Sequence, residues 1–299
     1  MSAIKIGMIG LDTSHVIAFT KLLNDPNNDF HVPGGEVVVA YPGGSSDMEL
    51  SYNRVEGFTR ELRDGYGIEM VHTPEEVAEK CDAILLESVD GRVHLEQFRK
   101  IVSFKKPTFI DKPFATTTEE AKEIQRLAKQ YQTPIMSCSA LRYAAGLSAV
   151  LEKADLINRI GMDCYGPLAI EPHHGLFWYG IHTVEMLYRV FGSGCQKVTV
   201  ATSTDHDLII GEWADGRIGS VRGNRKGNHS FGALIHTEEG TDFVDVSAYK
   251  KPYYATLLEQ IISFFNTGKS PIQYEEILEI TRFLEAANES RSTGKTVNL

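Results

Sequence analysis

Short apolar runs alternate with amphipathic segments over the first half of the chain. The runs are rich in β-branched residues and are bounded by turn residues, so each predicts a buried strand. The segments between them repeat apolar residues at helical spacing. The predicted strands are residues 4–10, 36–41, 82–88, 107–110 and 133–139, and the predicted helices are residues 51–66, 74–80, 92–104 and 117–131.

This regular exchange of strand and helix predicts an α/β fold with a doubly wound, mostly parallel sheet, because parallel strands are joined by crossovers that are usually helical. We therefore expect a Rossmann dinucleotide-binding domain over residues 1–139. Ligands of such sheets bind beyond the carboxyl ends of the strands. The residues that directly follow each predicted strand are the first candidates for chemistry.

The pattern changes after residue 139. Helices predicted at 147–160 and 178–191 are followed by five strand-like segments, "QKVTVATS", "DLIIGEW", "RIGSVRG", "FGALIHT" and "TDFVDVSA", with hairpin-like turns between them. Two further helices are predicted at 254–266 and 274–291. This order predicts a C-terminal α+β domain over residues 140–299 with an open, mostly antiparallel sheet, and we expect the last helix to pack back on the first domain.

The composition indicates a globular protein and argues against a nucleic-acid-binding or membrane-spanning one. The 299 residues are 42% hydrophobic and 23% charged, which is typical of soluble globular proteins. Thirty basic against forty acidic side chains give a net charge of −10, and no basic stripe stands out, so no nucleic-acid partner is expected. No apolar run reaches membrane-spanning length, and no signal peptide is evident. The cysteines are four and widely spaced, which fits reduced thiols and a cytoplasmic protein.

The first predicted turn, in "IGMIGLDTSH", departs from the dinucleotide-loop pattern G-x-G-x-x-G. Gly10 keeps the first glycine, but Asp12 and His15 stand in the places of the other two. A carboxylate repels a diphosphate, so Asp12 must turn aside, be paired or prevent binding. Asp12, Thr13 and Ser14 are also good N-cap residues, and the motif alone favours a capped helix. The backbone N–H groups at a helix N-terminus nevertheless form an anion site.

The second predicted strand lacks the acidic residue that usually binds a ribose hydroxyl. It ends at Tyr41 and continues into a Gly/Ser-rich turn. Ser45, Ser46 or Arg54 would suit a 2′-phosphate, which favours NADP over NAD. A flexible turn with no ligand explains the same residues.

A lysine follows the fourth predicted strand in "FIDKPFA". Lys112 stands next to Asp111 and before Pro113, at the expected carboxyl edge of the sheet. There a lysine can hydrogen-bond a substrate hydroxyl and, if partly desolvated, help to move its proton. The alternative is a surface lysine that is paired with Asp111.

The stretch "EPHHGLFWYGIHTVEMLY" contains more candidate acid–base and metal-binding residues than any other stretch of the chain. His182 lies near the start of a predicted helix, and imidazole suits acid–base work because its ordinary pKa is near neutrality. A structural helix histidine is the alternative interpretation. His173 and His174, with Glu171 and His182, raise the possibility of a metal site, but their spacing is not a firm ligand pattern. We therefore predict no metal.

The order of motifs resembles the Gfo/Idh/MocA family of glucose–fructose oxidoreductase, inositol 2-dehydrogenase and related sugar dehydrogenases. "IKIGMIG" is similar to the family's opening strand, and "CDAILLESVDGRVHLEQ" to a later segment in which His94 and Glu96 match. "DKP" corresponds to the family's E-K-P, and "SCSALRY" ends in the expected Arg142-Tyr143. "GIHTVEML" matches G-x-H-x-x-D with Glu185 in the acidic place. The tail from residue 275 is close to the usual ending, so the resemblance covers nearly the full length.

The resemblance implies an NAD- or NADP-dependent oxidoreductase that moves a hydride to or from a hydroxyl-bearing carbon of a sugar, cyclitol or similar polyol. It implies that Lys112 and His182 are catalytic and that the second domain's sheet forms a homo-oligomer, a dimer or tetramer. The expected cofactor-binding residues are Gly10, Leu11, Asp12, Thr13, Ser14, His15, Ser45, Ser88, His94, Asp111 and Lys112, and the expected substrate-binding residues are Lys112, Arg142, His174, Trp178 and His182.

The sequence is also compatible with two other functions. Members of the family often have an aspartate four residues before the catalytic histidine, where this chain has Trp178. That residue and the altered loop are compatible with a non-catalytic ligand-binding or sensor protein that retains the fold. His173 and His174 are compatible with a cofactor-assisted lyase or hydrolase.

Overall fold

The computed structural model describes residues 3–153, 158–172 and 174–299. The first half contains, in order, β1 (Ile4–Ile9), α1 (His15–Asn24), β2 (Gly35–Tyr41), α2 (Glu49–Tyr52), α3 (Val55–Tyr66), β3 (Glu69–Met70), α4 (Pro74–Lys80), β4 (Ala83–Leu86), α5 (His94–Ile101), β5 (Thr108–Ile110), α6 (Thr118–Tyr131) and β6 (Ile135–Met136). The second half contains α7 (Ala145–Lys153), β7 (Arg159–Pro167), α8 (Phe177–Phe191), β8 (Cys195–Thr202), β9 (His206–Trp213), β10 (Ile218–Asn224), β11 (Gly232–Thr237), β12 (Thr241–Asp245), α9 (Tyr253–Thr267), α10 (Tyr274–Thr293) and β13 (Val297–Asn298).

The described residues divide into two units. Unit 1 comprises those within residues 1–115, 119–138 and 254–273, and unit 2 comprises those within 116–118, 139–253 and 274–299. The sequence predicts a boundary between residues 139 and 140, and the structure divides this part of the chain between residues 138 and 139.

Unit 1 is built on a six-stranded sheet in the order β3-β2-β1-β4-β5-β6, and all of its strand pairs are parallel. This confirms the predicted doubly wound sheet. The central strands are buried on both faces; β4 is inaccessible along its whole length, which is why it reads as an uninterrupted apolar run.

Helix α1 directs its N-terminus towards the carboxyl end of β1. Its buried residues include Val16, Phe19 and Leu23, which lie on one face at helical spacing, and the helix packs against β2. Helix α9 packs on the same unit: a Cβ added to Gly35 at the start of β2 would lie 2.6 Å from Cδ1 of Ile262. The loop between β1 and α1 is therefore held by a well-packed frame.

Unit 2 contains a seven-stranded sheet in the order β12-β11-β7-β10-β9-β8-β13. Every pair is antiparallel except β7 with β10, which confirms the predicted open, mostly antiparallel sheet. Helix α8 is buried along most of its length, and residues such as Val184 and Leu187 enter the core of this unit.

Strand β7 lies partly where the sequence predicts the end of a helix at 147–160. Helix α7 ends at Lys153, residues 154–157 lie outside the described part of the chain, and Arg159 and Ile160 already belong to the strand. Buried Met162 and Cys164 do alternate, but the glycines beside them weaken the period-2 signal. Strands β3 and β13 were also not predicted, because two residues are too few to leave a pattern.

Helix α9 belongs to unit 1, whereas the sequence predicts that the last helix, α10, packs on the first domain. Helix α10 packs against β8 and α8, and its residues Ile280, Phe283 and Leu284 belong to the core of unit 2. Both helices are amphipathic, so periodicity does not reveal which core each one covers. Among the described residues, no helix combines the length and the apolarity that crossing a bilayer requires.

Candidate active site

The candidate cofactor residues of unit 1 meet at one edge of its sheet. Strand β4 lies between β1 and β5 in parallel register, so the chain leaves all three strands at neighbouring points. The residues that follow are Gly10 after β1, Glu87 after β4 and Asp111 after β5. The expected cofactor residues in these three loops are therefore brought together.

Gly10 makes a turn that only glycine can make. Its φ is +88°, and a Cβ at this position would lie 2.5 Å from the backbone nitrogen of Ser88 and closer still to its hydroxyl. The N–H of Gly10 donates to the carbonyl of Tyr41 at 2.9 Å, and that of Leu11 donates to the carbonyl of Pro42 at 2.7 Å. The loop after β1 is thus held between the loops after β2 and β4.

The carboxylate of Asp12 turns into the protein and is fully paired there. Its Oδ2 accepts a hydrogen bond from the Ser51 hydroxyl at 2.6 Å, and its Oδ1 accepts from the N–H of Val89 at 2.8 Å. Burial raises the pKa of Asp12, although both hydrogen bonds act in the opposite direction. Ser51 in turn accepts from the N–H of Ser45 at 2.7 Å. Asp12 therefore joins the loops after β2 and β4.

The start of α1 leaves backbone donors available. Ser14 occupies the N-cap position without a side-chain cap hydrogen bond. Within the described residues, the N–H groups of Thr13 and Ser14 donate to no protein acceptor. Such groups at the positive end of a ten-residue helix suit a phosphate. Together with the glycine turn and the paired Asp12, they fit the pyrophosphate of a dinucleotide.

His15 forms a buried charged cluster with two strand-end carboxylates. Its Nδ1 lies 2.8 Å from Oδ2 of Asp111 and 3.7 Å from Oε2 of Glu87. The ring also stacks on Phe19 and meets Tyr254 edge-on, with centroids 5.5 and 5.0 Å apart. Burial lowers the pKa of His15, but the Asp111 carboxylate outweighs this and the pKa is about 9. Burial and the neighbouring Asp111 raise the pKa of Glu87.

Lys112 is buried directly after β5. Only 4% of the residue is exposed, so the alternative of a solvated surface lysine is wrong. Burial lowers the pKa of Lys112, and the carboxylates of Asp111 and Glu87 offset only part of that effect. The amine is therefore a polar group within a largely dry environment at the expected cofactor edge.

Two of the predicted cofactor residues are engaged with the protein instead. His94 is fully buried, with Nε2 2.8 Å from the carbonyl oxygen of Ser88 and Nδ1 3.3 Å from that of Phe114, so it ties together the loops after β4 and β5. The Ser88 hydroxyl donates to Gln97 at 2.9 Å. By contrast, the buried hydroxyl oxygen of Ser45 has no hydrogen-bond partner among the described residues.

His182 is the candidate acid–base group of unit 2. It lies on α8, and its Nδ1 is 2.6 Å from the hydroxyl oxygen of Ser139, which also accepts from the N–H of Leu141 at 3.2 Å. The rings of Tyr179 and Phe231 meet the imidazole at centroid distances of 6.1 and 5.7 Å. Because a hydroxyl can donate or accept, Ser139 supports either neutral tautomer of His182.

The other substrate candidates have protein partners. Arg142 is buried and ion-paired with Glu276 and with Glu185, the latter at 2.9 Å, which indicates a structural role. Burial raises the pKa of Glu185 to about 7, and Arg142 offsets this only partly. Trp178 is 7% exposed and packs edge-on against the ring of Tyr179, with centroids 6.0 Å apart.

The histidines considered for a metal site are not assembled as one in the described structure. His174 is buried, with Nδ1 3.1 Å from the carbonyl of Pro172. His173 lies outside the described residues.

Sequence reasoning missed three residues that shape these sites: Glu87, Ser51 and Ser139. Glu87 directly follows an apolar strand, so the rule that selected Lys112 would also have selected it. Ser51 and Ser139 act through contacts with Asp12 and His182 that are distant in sequence. No local pattern marks such partners.

Comparison with known proteins agrees with this geometry. Residues 4–138 match the model of an oxidoreductase family with an NAD-binding Rossmann fold, GFO_IDH_MocA. None of the curated proteins matches the sequence.

Several solved structures share the fold over nearly the whole chain. A probable dehydrogenase from Thermotoga maritima is 16% identical, with 98% of each chain covered and a TM-score of 0.80. A myo-inositol dehydrogenase from Lactobacillus casei, solved with NAD(H) and myo-inositol, is 17% identical, with 100% of this chain and 97% of that chain covered and a TM-score of 0.77. A scyllo-inositol dehydrogenase from the same organism, solved with NAD(H) and scyllo-inositol, is 13% identical, with 99% of each covered and a TM-score of 0.80.

Proposed function

We propose that the chain transfers a hydride between NAD and a hydroxyl-bearing carbon of a sugar, cyclitol or similar polyol. The premise is that residues 4–138 match the Gfo/Idh/MocA oxidoreductase family with its NAD-binding Rossmann fold. The observation that carries the proposal is the buried Lys112 directly after β5, at the edge where the loop after β1 offers its backbone donors. A buried amine at the ligand edge of a doubly wound sheet requires a functional explanation.

The loop between β1 and α1 would hold the pyrophosphate. Gly10 lets the backbone turn, the N–H groups of Thr13 and Ser14 supply donors, and Asp12 fixes the loop without turning its charge towards the phosphates. The unpartnered hydroxyl of Ser45, in the loop after β2, would meet a polar group of the adenosine half. When bound, oxidised NAD supplies the carbon that accepts the hydride.

Lys112 would bind the oxygen of the reacting carbon. An ammonium in a dry site interacts strongly with an oxygen that gains negative charge, so it favours loss of the hydroxyl proton. Asp111, the residue before it, is held by His15 at 2.8 Å, which fixes the backbone from which Lys112 extends.

His182 would take the hydroxyl proton. In the tautomer in which Nδ1–H donates to Ser139, the second ring nitrogen acts as the base and takes the hydroxyl proton, which leaves an imidazolium. In the reverse reaction this imidazolium returns the proton to the oxygen, and the hydroxyl of Ser139 accepts from Nδ1–H in both states. Tyr179 and Phe231 restrict the position of the ring.

The polyols bound in the two Lactobacillus casei structures guide the choice of substrate class. Those proteins were solved with myo-inositol and scyllo-inositol. We propose cyclitols as the first substrate class for this chain, followed by aldoses.

The test is a spectrophotometric screen of NAD⁺ reduction with cyclitols and sugars, repeated with NADP⁺. On the best substrate, Lys112→Ala and His182→Ala are each expected to lower kcat by about 100-fold or more. Lys100→Ala and His236→Ala, which remove the same residue types from other positions, should retain the wild-type rate. Wild-type rates in both active-site variants would refute the assignment of roles.

We also propose self-association through the outer face of the unit 2 sheet. Leu234 and Phe243 pair across β11 and β12 and are 38% and 57% exposed, and Ile218 on β10 is 56% exposed. Large apolar groups on an open sheet face favour burial against a second copy. Light scattering after gel filtration should show a dimer or tetramer, and Phe243→Glu should lower the mass. A monomeric wild-type protein would exclude the proposal.

A further inference from the structure

One buried cluster in unit 1 contains a carboxylate, Glu87, to which the proposed hydride transfer assigns no role. His15 at the start of α1, Glu87 at the end of β4 and Asp111 at the end of β5 each direct one ligand atom to a common centre, and these three atoms lie within 4.8 Å of one another. All three residues are buried, with at most 5% of each exposed.

The carboxylates of the cluster have unused acceptor capacity. Within the described residues, neither oxygen of Glu87 has a hydrogen-bond partner, although Oε2 lies 3.7 Å from Nδ1 of His15, and Oδ1 of Asp111 also has no hydrogen-bond partner. Glu87 is completely inaccessible and Asp111 is 1% exposed. Buried carboxylate oxygens are normally hydrogen-bonded or bound to a cation, because a bare buried charge is costly. The unpartnered oxygens therefore point to a ligand.

We propose that His15, Glu87 and Asp111 bind one divalent transition-metal ion. One imidazole nitrogen and two carboxylate oxygens form a donor set that suits Mn²⁺, Fe²⁺ or Zn²⁺ rather than a soft metal. Ligand atoms about 2.1 Å from a metal lie about 3.0 Å apart at a right angle. Nδ1 of His15 lies 2.8 Å from Asp111 and 3.7 Å from Glu87, so small side-chain movements satisfy such a site. The ion takes the place of the proton between His15 and Asp111, and that proton is released to solvent.

The ion would connect three separate elements at the candidate cofactor edge. It binds α1, β4 and β5 at the points where the polypeptide enters or leaves them, beside the residue that precedes Lys112. The prediction that follows is a metal-dependent gain in stability, since a ligand that binds only the folded chain stabilises it. This inference does not depend on the proposed function: a protein without dehydrogenase activity would bind the metal equally.

The test is metal binding by the purified full-length protein. The chain is stripped with a chelator, incubated separately with Mn²⁺, Fe²⁺ under anaerobic conditions and Zn²⁺, desalted, and analysed by elemental mass spectrometry. We expect about one ion per chain and a higher melting temperature with that ion. Binding of Co²⁺ gives a visible absorption spectrum that reports the ligands directly.

Glu87→Gln and His15→Asn are expected to weaken binding by about tenfold or more and to remove the thermal shift. His236→Asn is the matched control, because His236 also lies 2.9 Å from an aspartate, Asp163, on another sheet. A wild-type chain that takes up none of these ions would overturn the proposal. So would equal metal content and equal cobalt spectra in the wild type and Glu87→Gln. If the variants do not fold, the metal titration and the cobalt spectrum of the wild-type protein still test whether the site binds an ion.

Discussion

Nδ1 of His15 lies 2.8 Å from Oδ2 of Asp111, and this contact joins the loop after β1 to the end of β5. His15 stands where a dinucleotide loop usually has its last glycine, and Asp111 precedes the proposed catalytic lysine. The altered loop is thus not simply a damaged one. Its polar residues have specific partners on neighbouring strand ends, and those partners position the candidate active site.

Removal of the Asp12 carboxylate should loosen the loop. Asp12→Ala leaves the N–H of Val89 and the hydroxyl of Ser51 without their acceptor, which costs about 1–3 kcal/mol for a buried donor. Urea unfolding should show this loss, and calorimetry should show weaker NADH binding. Asp12→Asn keeps an acceptor oxygen and should lie closer to the wild type. If Asp12→Ala binds NADH more tightly, the carboxylate obstructs the cofactor instead.

Replacement of Gly10 by alanine should destabilise the fold far more than the addition of one methyl group usually does. Gly10→Ala places a Cβ 2.5 Å from the nitrogen of Ser88 at a φ of +88°, so we expect a loss of about 2 kcal/mol or more in unfolding free energy and loss of NADH binding. Gly65→Ala is the control, since nothing lies within 4 Å of its added Cβ on α3, and it should be neutral or stabilising. Equal effects of the two variants would contradict the described turn.

Ser139 should influence the reaction through His182. Ser139→Ala removes the partner at 2.6 Å from Nδ1, so kcat should fall about tenfold while KM changes little, and the pH profile of kcat should shift. Ser139→Thr retains the hydroxyl and should restore much of the rate. An unchanged pH profile in Ser139→Ala would show that the contact is only structural.

Stability should depend on pH through Glu185. Burial raises the pKa of Glu185 from 4.5 to about 7, so between these values the folded chain binds more protons than the unfolded chain. The contribution of this group to the unfolding free energy therefore falls as pH rises from about 4.5 to about 7, by about 3 kcal/mol at most, and is constant above that range. Urea unfolding of Glu185→Gln should lack this component of the slope. Parallel curves for the two proteins would contradict the assignment.

Much of the fold follows from the sequence because burial leaves periodic patterns. The apolar runs of β1, β2 and β4 identify the parallel sheet, and the alternating strands after residue 195 identify the second sheet. Strand β7 was not predicted, because glycines interrupt its alternation of buried and exposed residues. Helices α9 and α10 could not be assigned to a unit, because an amphipathic pattern shows that a helix has a buried face but not which core that face contacts.

The candidate site was less predictable. The apolar run before Asp111 and Lys112 predicts that both residues directly follow a strand, and the structure places them directly after β5. It did not show that Asp12 faces Ser51 and Val89, since these contacts join residues 39 and 77 positions apart. Partners of buried polar groups depend on tertiary packing, which local sequence does not encode.

The most direct test of the central claim is calorimetric titration of the purified chain with NADH and, separately, with NADPH. We expect saturable binding of one NADH per chain that is lost in Gly10→Ala and retained in Gly65→Ala. Absence of binding for both nucleotides by a folded wild-type chain would contradict it, and would indicate a protein that keeps the dehydrogenase fold for a different ligand.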